Sequence, residues 1–214
     1  MNFITFIIDL FTNNNLICML IAYLIGSIPF GLIYAKKFAN VDIKSQGSKS
    51  IGATNVLRVV KQVNPKLAKK LAIATMLSDF LKAMLPICIA MFLDINEATI
   101  WAMAVLSVIG HCYSIFLSFN GGKGVASGAG ALILLVPYSV IIGLIFWLII
   151  GKVFKISSLA SLIGFSIGVI SAEFLYPNIS INSHAPIYLI LFFVFYKHIP
   201  NIIRLIFKDE CKVI

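Results

Sequence analysis

Two polar stretches of this chain contain its only arginines, and each arginine lies close to an asparagine. Of the 17 Lys and Arg residues, only Arg58 and Arg204 are Arg, and they follow Asn55 and Asn201 by three residues. A guanidinium can bind a phosphate or a carboxylate through two parallel hydrogen bonds, whereas the ammonium of Lys is a point charge. The alternative is that both arginines are anchors at an interface, and the residues around them decide between the two.

The stretch Asp42–Arg58 has the composition of an anion-binding loop. It is rich in hydroxyl, amide and cationic side chains, and it contains Gly47 and Gly52. Glycine lets the backbone approach a ligand closely, and Ser, Thr and Asn donate hydrogen bonds to oxyanions. Thr54 or Asn55 can cap a following helix whose N–H groups point at an anion. An ordinary solvated loop is the alternative on composition alone.

A glycine-rich turn follows in the middle of the chain. Gly121, Gly122 and Gly124 surround Lys123 between two apolar segments. Three glycines and a Lys at the start of a helix predict a nest of backbone N–H groups for a phosphate. The spacing is not that of a Walker A loop. A flexible turn, in which Lys123 only helps to set the orientation of the chain, is the alternative.

Asp79 and Lys82 lie inside a long apolar segment. Their spacing of three places both on one helix face, where they can pair. A charge at membrane depth costs about 2.5–3.5 kcal/mol on insertion scales and therefore usually faces the protein interior. We expect a structural ion pair that fixes helix packing, ahead of a direct catalytic role.

The C-terminal stretch Lys197–Arg204 combines His198 and Asn201 with the second arginine, and His111 lies at the depth of the third apolar segment. A lone His near a membrane surface is more often an anchor than a catalyst, so that alternative stands for both histidines. Taken together, the polar stretches favour an anionic ligand, a phosphate that carries an apolar portion.

Long apolar runs must position these groups. Of the 214 residues, 60% are hydrophobic and 12% are charged, which is typical of a polytopic helical membrane protein and excludes a soluble globule. The runs lack the period-two alternation of an outer-membrane barrel. We expect an all-α fold of about seven transmembrane helices, some short or broken, in one domain over residues 1–214. The predicted helices are Leu16–Phe38, Leu67–Leu93, Ala98–Phe119, Gly124–Val136, Tyr138–Val153, Ser157–Tyr176 and Ala185–Phe207.

Three details of the pattern remain to be placed. The fourth and fifth helices are split by Pro137, so they are two half-length crossings or one kinked span. The apolar stretch Phe3–Phe11 lacks preceding basic residues, and we interpret it as a lead-in segment at the membrane interface and not as a signal peptide. The four cysteines, which form no zinc-binding spacing, are Cys18, Cys88, Cys112 and Cys211.

In the predicted topology, the basic loops and four acidic residues fall on opposite sides of the membrane. With seven crossings, the basic loop Lys36–Lys70, the turn at Lys123, the turn at Lys152 and Lys155, and the basic C-terminal residues Lys197, Arg204, Lys208 and Lys212 all fall on one side. Asp9, Asp94, Glu97 and Glu173 fall on the other side, without any Lys or Arg. The positive-inside rule makes the basic side cytoplasmic, which places the N-terminus outside and the C-terminus inside. The net charge of +9 is thereby explained without nucleic acid.

A series of motifs runs through the chain from about Ala22 to Glu210. Gly26–Gly31 is followed by DIKSQGS, GATNVLR, DFLKAMLP, GHCYSIFLSFNGGKGVASGAG and HIPNIIRLIFKDE. In this order and spacing they resemble the bacterial acyl-phosphate:glycerol-3-phosphate acyltransferases. The resemblance implies a seven-helix enzyme of the bacterial inner membrane that needs no metal or other cofactor. It implies acyl transfer from acyl phosphate to glycerol 3-phosphate, which gives 1-acyl-glycerol 3-phosphate and inorganic phosphate for phospholipid biosynthesis.

The resemblance also implies roles for individual residues. Three motifs on the cytoplasmic side carry activity in that family, and their residues here are Ser48 and Arg58, then Gly121, Gly122, Lys123 and Gly124, then His198, Asn201 and Glu210. The family usually reads Gly-Ser-Gly-Asn in the first motif, where this chain reads Gly47-Ser48-Lys49-Ser50. Because the asparagine is replaced, Ser50 is assigned no role, and Lys49 is expected to alter anion affinity.

On this basis we expect two phosphate sites. Glycerol 3-phosphate is expected among the four residues predicted to be catalytic, which are Ser48, Arg58, Lys123 and Asn201. The acyl phosphate is expected on backbone N–H groups near Gly52–Asn55 and the glycine turn, with its tail between helices. His198 and Arg204 are expected to add phosphate contacts. The residues expected to support the site are Asp79, Lys82, His111 and Glu210.

The expected reaction is attack of a primary hydroxyl on the acyl carbonyl. Phosphate is already a good leaving group, so positioning and stabilisation of the oxyanion can supply much of the rate. The H-x4-D motif of acyl-CoA-dependent enzymes is absent, since Phe116, Leu189 and Ile203 stand at the aspartate position. The departing phosphate can take the proton, with Asp79 or His198 as alternatives. A transporter or channel for a phosphorylated or other anionic solute is the competing class, because broken helices, interior charges and glycine turns occur there too.

Overall fold

The computed structural model describes residues 13–207 and 209–210, and within them the chain is all-α, as predicted. The helices are α1 (Asn14–Gly26), α2 (Phe30–Ala39), α3 (Ala53–Val63), α4 (Pro65–Phe92), α5 (Glu97–Cys112), α6 (Val125–Leu132), α7 (Pro137–Phe154), α8 (Ser157–Leu175) and α9 (Ala185–Ile206). A 3₁₀ turn, Ile115–Leu117, follows α5. The predicted lead-in segment Phe3–Phe11 lies outside the described residues, as do Asp9, Lys208, Cys211 and Lys212.

Six helical segments of the described chain are long and apolar enough to cross a membrane. They are Asn14–Ala39, Pro65–Phe92, Glu97–Leu117, Pro137–Phe154, Ser157–Leu175 and Ala185–Ile206. The remaining predicted helix is the eight-residue α6, which at about 1.5 Å per residue is far shorter than a bilayer core. Its buried Ser127, Gly128 and Gly130 show that other helices shelter it, as expected for a short segment. Pro137 does not kink a span but occupies the first turn of α7, where its missing N–H costs no helical bond.

The first span is broken, which the prediction of one continuous helix Leu16–Phe38 missed. Between α1 and α2, Pro29 has no N–H to continue the helical ladder. The carbonyl groups freed at the break find partners elsewhere in the bundle: Lys82 Nζ of α4 donates to the Ile28 oxygen at 2.8 Å, and Ser114 Oγ, which follows α5, donates to the Ser27 oxygen at 2.6 Å. A break at membrane depth is tolerated because these side chains satisfy the backbone.

The helix α3 was not among the predicted helices, because its charged and polar residues make it too hydrophilic for a membrane span. It is amphipathic: Val56, Val59 and Val60 are fully buried, whereas Lys61 is exposed. The three valines pack in one cluster with Ile43 and Ile51 of the preceding loop. The apolar side chains recur at spacings of three and four, and this period was the signal that could have predicted the helix. By packing on the loop, α3 fixes the position of the first motif.

Hydrogen bonds mark two opposite ends of the bundle. At one end, Thr54 contacts Ser157 and Ser158 contacts Glu210, which joins α3, α8 and the C-terminal residues. At the other end, Asn96 bonds to Asn15, Ser180 bonds to Glu97, and the backbone of Tyr138 bonds to the Tyr176 hydroxyl. We call these the site end and the far end. The described chain begins at the far end and finishes at the site end, so it passes between them an odd number of times.

The helices α7 and α8 form a closely packed hairpin. A Cβ placed on Gly164 would lie 2.7 Å from the Gly143 oxygen and 2.9 Å from the Trp147 Cβ, so only glycine fits there. Small residues at such a crossing let two membrane helices approach through their backbones.

Candidate active site

A cavity of about 390 Å³ opens at the site end, and all four residues predicted to be catalytic line it. Ser48 comes from the loop before α3, Arg58 from α3, Lys123 from the turn before α6, and Asn201 from α9. These residues are separated by up to 153 positions in the sequence, and only the fold brings them to one cavity. We call it the site cavity.

The side chain of Asn55 holds the loop before α3 in shape. This buried amide accepts a hydrogen bond from the Ser48 backbone N–H at 2.9 Å. Its nitrogen donates, at 2.8–3.2 Å, to the backbone oxygens of Ile43, Gln46 and Ser50. The amide is thereby occupied, so it positions Ser48 and does not make the predicted phosphate contact. Neither Thr54 nor Asn55 caps α3, contrary to prediction, because the N-cap is Gly52.

Two positive backbone angles flank Ser48 in this loop. Gly47 has φ of 59° and Lys49 has φ of 57°, and neither lines the site cavity. The conformation at the second position suits the glycine that the family usually has there, and for a Lys it costs roughly 1 kcal/mol or more. Ser50, to which the sequence assigned no role, lines the site cavity.

Three helices begin at the site cavity without a side-chain cap. The N-caps of α3, α6 and α8 are Gly52, Gly124 and Ile156, and none of them caps its helix through a side chain. The first residues of these helices, which are Ala53, Val125 and Ser157, line the site cavity. Unbonded N–H groups and the positive end of a helix dipole attract anions. The arrangement gives the site cavity a positive lining that needs no side chain.

The glycine turn does not form the predicted phosphate nest at its first two positions. The N–H of Gly121 donates to the Cys112 oxygen at 3.1 Å, and the N–H of Gly122 donates to the His111 oxygen at 2.9 Å. A Cβ on Gly122 would lie 2.0 Å from His111 Nε2, so the ring packs directly against this glycine. Neither glycine lines the site cavity, whereas Gly124 does. The turn serves to seat Lys123 against the end of α5.

Lys123 is the cation of the site cavity whose pKa is most clearly altered. Burial lowers its pKa from 10.5 to about 8. Glu210 opposes the shift, whereas the positive charges of Arg204 and Arg58 add to it. Binding of a dianion stabilises the charged form of Lys123, because the ligand brings negative charge close to Lys123, Arg58 and Arg204.

The third motif is organised around Glu210. Its Oε1 accepts hydrogen bonds from Ser158 Oγ at 2.8 Å and from Asn201 Nδ2 at 2.6 Å. Its Oε2 accepts from Arg204 Nε, also at 2.6 Å. Burial alone would raise the pKa of Glu210, but the hydrogen bonds from Arg204, Asn201 and Ser158 outweigh it, so the net pKa is lowered. The ionised carboxylate thus positions Asn201, which agrees with the supporting role predicted for Glu210.

Arg204 does not lie at the phosphate site that the sequence predicts for it. It pairs with Glu210 and does not line the site cavity. Its guanidinium therefore holds the carboxylate that orients Asn201 and is not in place for the predicted phosphate contact. Of the two arginines, only Arg58 faces the site cavity.

His198 is buried and lines the site cavity. Its Nδ1 lies 2.7 Å from the Val194 backbone oxygen. Since a carbonyl oxygen can only accept, Nδ1 carries the proton, and Nε2 of the neutral ring has a free lone pair. The ring can therefore accept a proton or a hydrogen bond at Nε2.

The predicted ion pair between Asp79 and Lys82 is present, and a third group joins it. Asp79 Oδ1 lies 2.8 Å from Lys82 Nζ and 3.5 Å from His111 Nδ1. Lys82 also donates a hydrogen bond to the Ile28 backbone oxygen at the break in the first span, and it does not line the site cavity. Asp79 and His111 do line it. The pair therefore has the structural role that the sequence predicts, and its carboxylate touches the cavity wall.

The sequence analysis missed the hydroxyl groups at the start of α8. Ser157, Ser158 and Ser161 line the site cavity, and Ser157 Oγ lies 2.9 Å from Thr54 Oγ1. Two consecutive serines directly after the basic turn at Lys155 were a usable signal, because they begin a helix on the same side as the other motifs. They enlarge the polar lining to include a fourth segment of the chain.

The site cavity continues beyond its polar lining as an apolar channel. Along α8 the lining changes from Ser157, Ser158 and Ser161 to residues without polar side chains, which are Gly164, Phe165, Gly168, Val169 and Ala172. The facing wall on α7 includes Val140, Leu144 and Trp147. The cavity can thus hold anionic groups at the site end and a hydrocarbon chain deeper in the bundle.

Known proteins share this sequence and this fold. The glycerol-3-phosphate acyltransferase family profile matches residues 16–208. The chain is similar to the glycerol-3-phosphate acyltransferase of Aliarcobacter butzleri (61% identity, 96% of this chain and 100% of the relative) and to that of Campylobacter lari (60% identity, 94% and 99%). Its structure is similar to crystal structures of PlsY (YgiH), an integral membrane glycerol 3-phosphate acyltransferase. The glycerol 3-phosphate form has a TM-score of 0.80 and 31% identity over 94% of this chain and 96% of that one. The lysophosphatidic acid form has a TM-score of 0.77 and 30% identity over 94% and 95%.

Proposed function

Since this chain belongs to the glycerol-3-phosphate acyltransferase family, we propose that its site cavity transfers a fatty acyl group from acyl phosphate to the 1-hydroxyl of glycerol 3-phosphate. The products are 1-acyl-glycerol 3-phosphate and inorganic phosphate. The proposal goes beyond the family in naming the donor and the residues that hold each substrate.

One observation carries the proposal: a single cavity joins a strongly cationic polar end to an apolar channel. Arg58, Lys123 and three uncapped helix N-termini face the same polar end. This much positive potential suits two phosphate groups, and the channel suits the acyl chain that one of them carries. An acyl-CoA donor would place a large nucleotide where the cavity offers helix ends.

Glycerol 3-phosphate is assigned to the side of the site cavity formed by Arg58, Lys123 and Asn201, with Ser48 facing its glycerol part. A guanidinium and an ammonium neutralise the dianion, and the amide of Asn201 is already oriented by Glu210. The solved relative in its glycerol 3-phosphate form supports the choice of acceptor.

The acyl phosphate is assigned to the helix N-termini, where Ser157 and Ser158 add hydroxyl donors. The 1-hydroxyl oxygen attacks the carbonyl carbon, the bond from that carbon to the phosphate oxygen breaks, and phosphate departs. Positive groups around the cavity stabilise the oxyanion formed on the way. The departing phosphate takes the hydroxyl proton, so no protein base is needed. His198 Nε2 and Asp79 are the two protein groups placed to take it instead.

The decisive assay uses purified protein with glycerol 3-phosphate and each of three donors: acyl phosphate, acyl-CoA and acyl-carrier protein. We expect release of inorganic phosphate and formation of lysophosphatidic acid only with acyl phosphate and glycerol 3-phosphate together. Equal or faster turnover with acyl-CoA would overturn the choice of donor.

The buried ammonium of Lys123 predicts a pH-dependent affinity for glycerol 3-phosphate. It is charged below a pKa of about 8 and neutral above it, so the KM should rise by about tenfold between pH 7 and pH 9 as the cation is lost. The substrate phosphate is already mostly dianionic at pH 7 and does not add to this change. In Lys123→Arg, which stays charged, the rise should disappear. The same pH profile in both proteins would contradict this role.

We infer that the site end faces the cytoplasm of a bacterial cell and that the chain lies in its inner membrane. The described Lys and Arg residues outside helix interiors belong to segments at the site end, whereas Asp94, Glu97 and Glu173 belong to segments at the far end. The positive-inside rule then gives the orientation. We expect single cysteines at Ser48 and Asn120 to react with a membrane-impermeant thiol reagent only in inverted vesicles, and one at Ser180 only in intact cells. The opposite labelling would reverse the assignment.

A further inference from the structure

The apolar channel ends inside the bundle. Its deepest lining comes from three segments: Val136 before α7, Val169 and Ala172 on α8, and Ile187 on α9. Each of the four side chains is at most 4% exposed. One turn beyond Ala172, the ring of Tyr176 stacks on Tyr138 and its hydroxyl bonds to the Tyr138 backbone. We call the four residues Val136, Val169, Ala172 and Ile187 the channel floor.

The channel is open to lipid beside α4 and α7, close to the level where Gly143 packs on Gly164. Leu77 on α4 and Leu144 on α7 line it there and are 51% and 42% exposed. Deeper on α7, Ser139, Val140 and Gly143 line the channel and are buried. A hydrocarbon chain can therefore enter and leave sideways past Leu77 and Leu144, whereas its terminal carbons are enclosed.

The wall on α8 gives the length of this enclosed path. From Ser161, the last polar residue of the wall, to Ala172 the helix rises by about 17 Å, and from Ser157 by about 22 Å. With C–C bonds of about 1.5 Å, an extended acyl chain advances about 1.3 Å per carbon. The acyl carbonyl lies at the polar end, so the path accepts a chain of about 13–17 carbons.

We propose that the channel floor sets the longest acyl chain this enzyme accepts, and that the side chains of Ala172 and Ile187 limit its length. The inference rests on the proposed function, since it concerns the same donor. Until the acyl chain reaches the floor, every added carbon gains apolar contact. A chain longer than the channel must bend or displace buried side chains. Each methylene that fits or fails to fit changes the affinity by several-fold.

Wild-type protein gives the first test, with saturated acyl phosphates of 10–20 carbons. We expect kcat/KM to rise up to a length within about 13–17 carbons and to fall beyond it. In Ala172→Leu, which raises the floor, the ratio of kcat/KM for 16 carbons to that for 12 should fall by about tenfold. In Ile187→Ala, which lowers it, the optimum should move about two carbons longer.

Two matched controls separate channel length from stability. Ala160→Leu lies on α8, and Ile190→Ala lies on α9 one turn from Ile187; both positions are as buried as the test positions, and neither lines the channel. These variants should keep the wild-type chain-length profile. The proposal is overturned by a flat wild-type profile, or by an unchanged optimum in folded Ile187→Ala. A protein inactive with every acyl phosphate would instead refute the proposed donor.

Discussion

Arg58→Lys is expected to lower kcat/KM by about 10²-fold although it keeps the positive charge. Arg58 is the only arginine that faces the site cavity among the described residues, and its planar fork suits two phosphate oxygens. Loss of a preorganised, charge-assisted donor in a low-dielectric site typically costs this much. Steady-state kinetics with both substrates varied would measure the loss, together with the thermal unfolding of the purified variant.

Arg204→Lys is the matched control for this change. The substitution is chemically the same, but Arg204 does not itself line the site cavity and contacts Glu210, which does. A Lys there keeps a positive charge beside Glu210, whose hydrogen bonds from Ser158 and Asn201 remain, so we expect less than about a fivefold loss. Equal losses in the two variants would show that Arg58 acts through charge alone or that Arg204 contacts substrate after all.

Lys82→Met is expected to cause the largest loss of stability, about 3–5 kcal/mol. It leaves Asp79 as a buried carboxylate without its 2.8 Å partner, and it removes the donor that satisfies Ile28 at the break of the first span. The unfolding temperature in detergent should fall by about 10 °C for a chain of this size.

The double variant Asp79→Asn/Lys82→Met should recover more than half of that loss, because no uncompensated charge remains. Strictly additive losses would mean that the two side chains are not coupled.

Asp79→Asn alone also tests which group accepts the hydroxyl proton. If the departing phosphate takes the proton, this variant should keep measurable turnover once it is folded. A folded Asp79→Asn protein with activity reduced by about four orders of magnitude would identify Asp79 as the base.

Local sequence was sufficient where one segment determines the outcome. The long apolar helices follow from uninterrupted hydrophobic runs, and the Asp79–Lys82 pair follows from a spacing of three on one helix. The amphipathic α3 is also a local feature, but its valines are diluted by charges, so a search for hydrophobic spans passes over it. The spacing of its apolar side chains, and not their share of the segment, was the signal to follow there.

Some of the predicted site residues lie at the site cavity, whereas others are held by contacts that the local sequence does not reveal. Ser48, Lys123 and Asn201 were assigned to one cavity, and the structure places them there. Arg204 and Gly122 were assigned to phosphate as well, but Arg204 binds Glu210 through Nε and does not line the site cavity, and the N–H of Gly122 is bonded to the His111 oxygen. Whether a donor is free depends on partners that the residue itself does not reveal.

The amino-acid sequence alone determined that this is an all-α membrane protein and predicted that its Lys and Arg residues gather at one end, because insertion into lipid depends on the hydrophobicity and charge of each segment separately. Only the tertiary structure decided which arginine reaches substrate, which N–H groups stay free, and that the serines of α8 join the site. Those outcomes depend on contacts between segments far apart in the chain, such as Ser158 with Glu210 and Lys82 with Ile28. No single segment encodes such contacts, because each one forms only when two helices have packed.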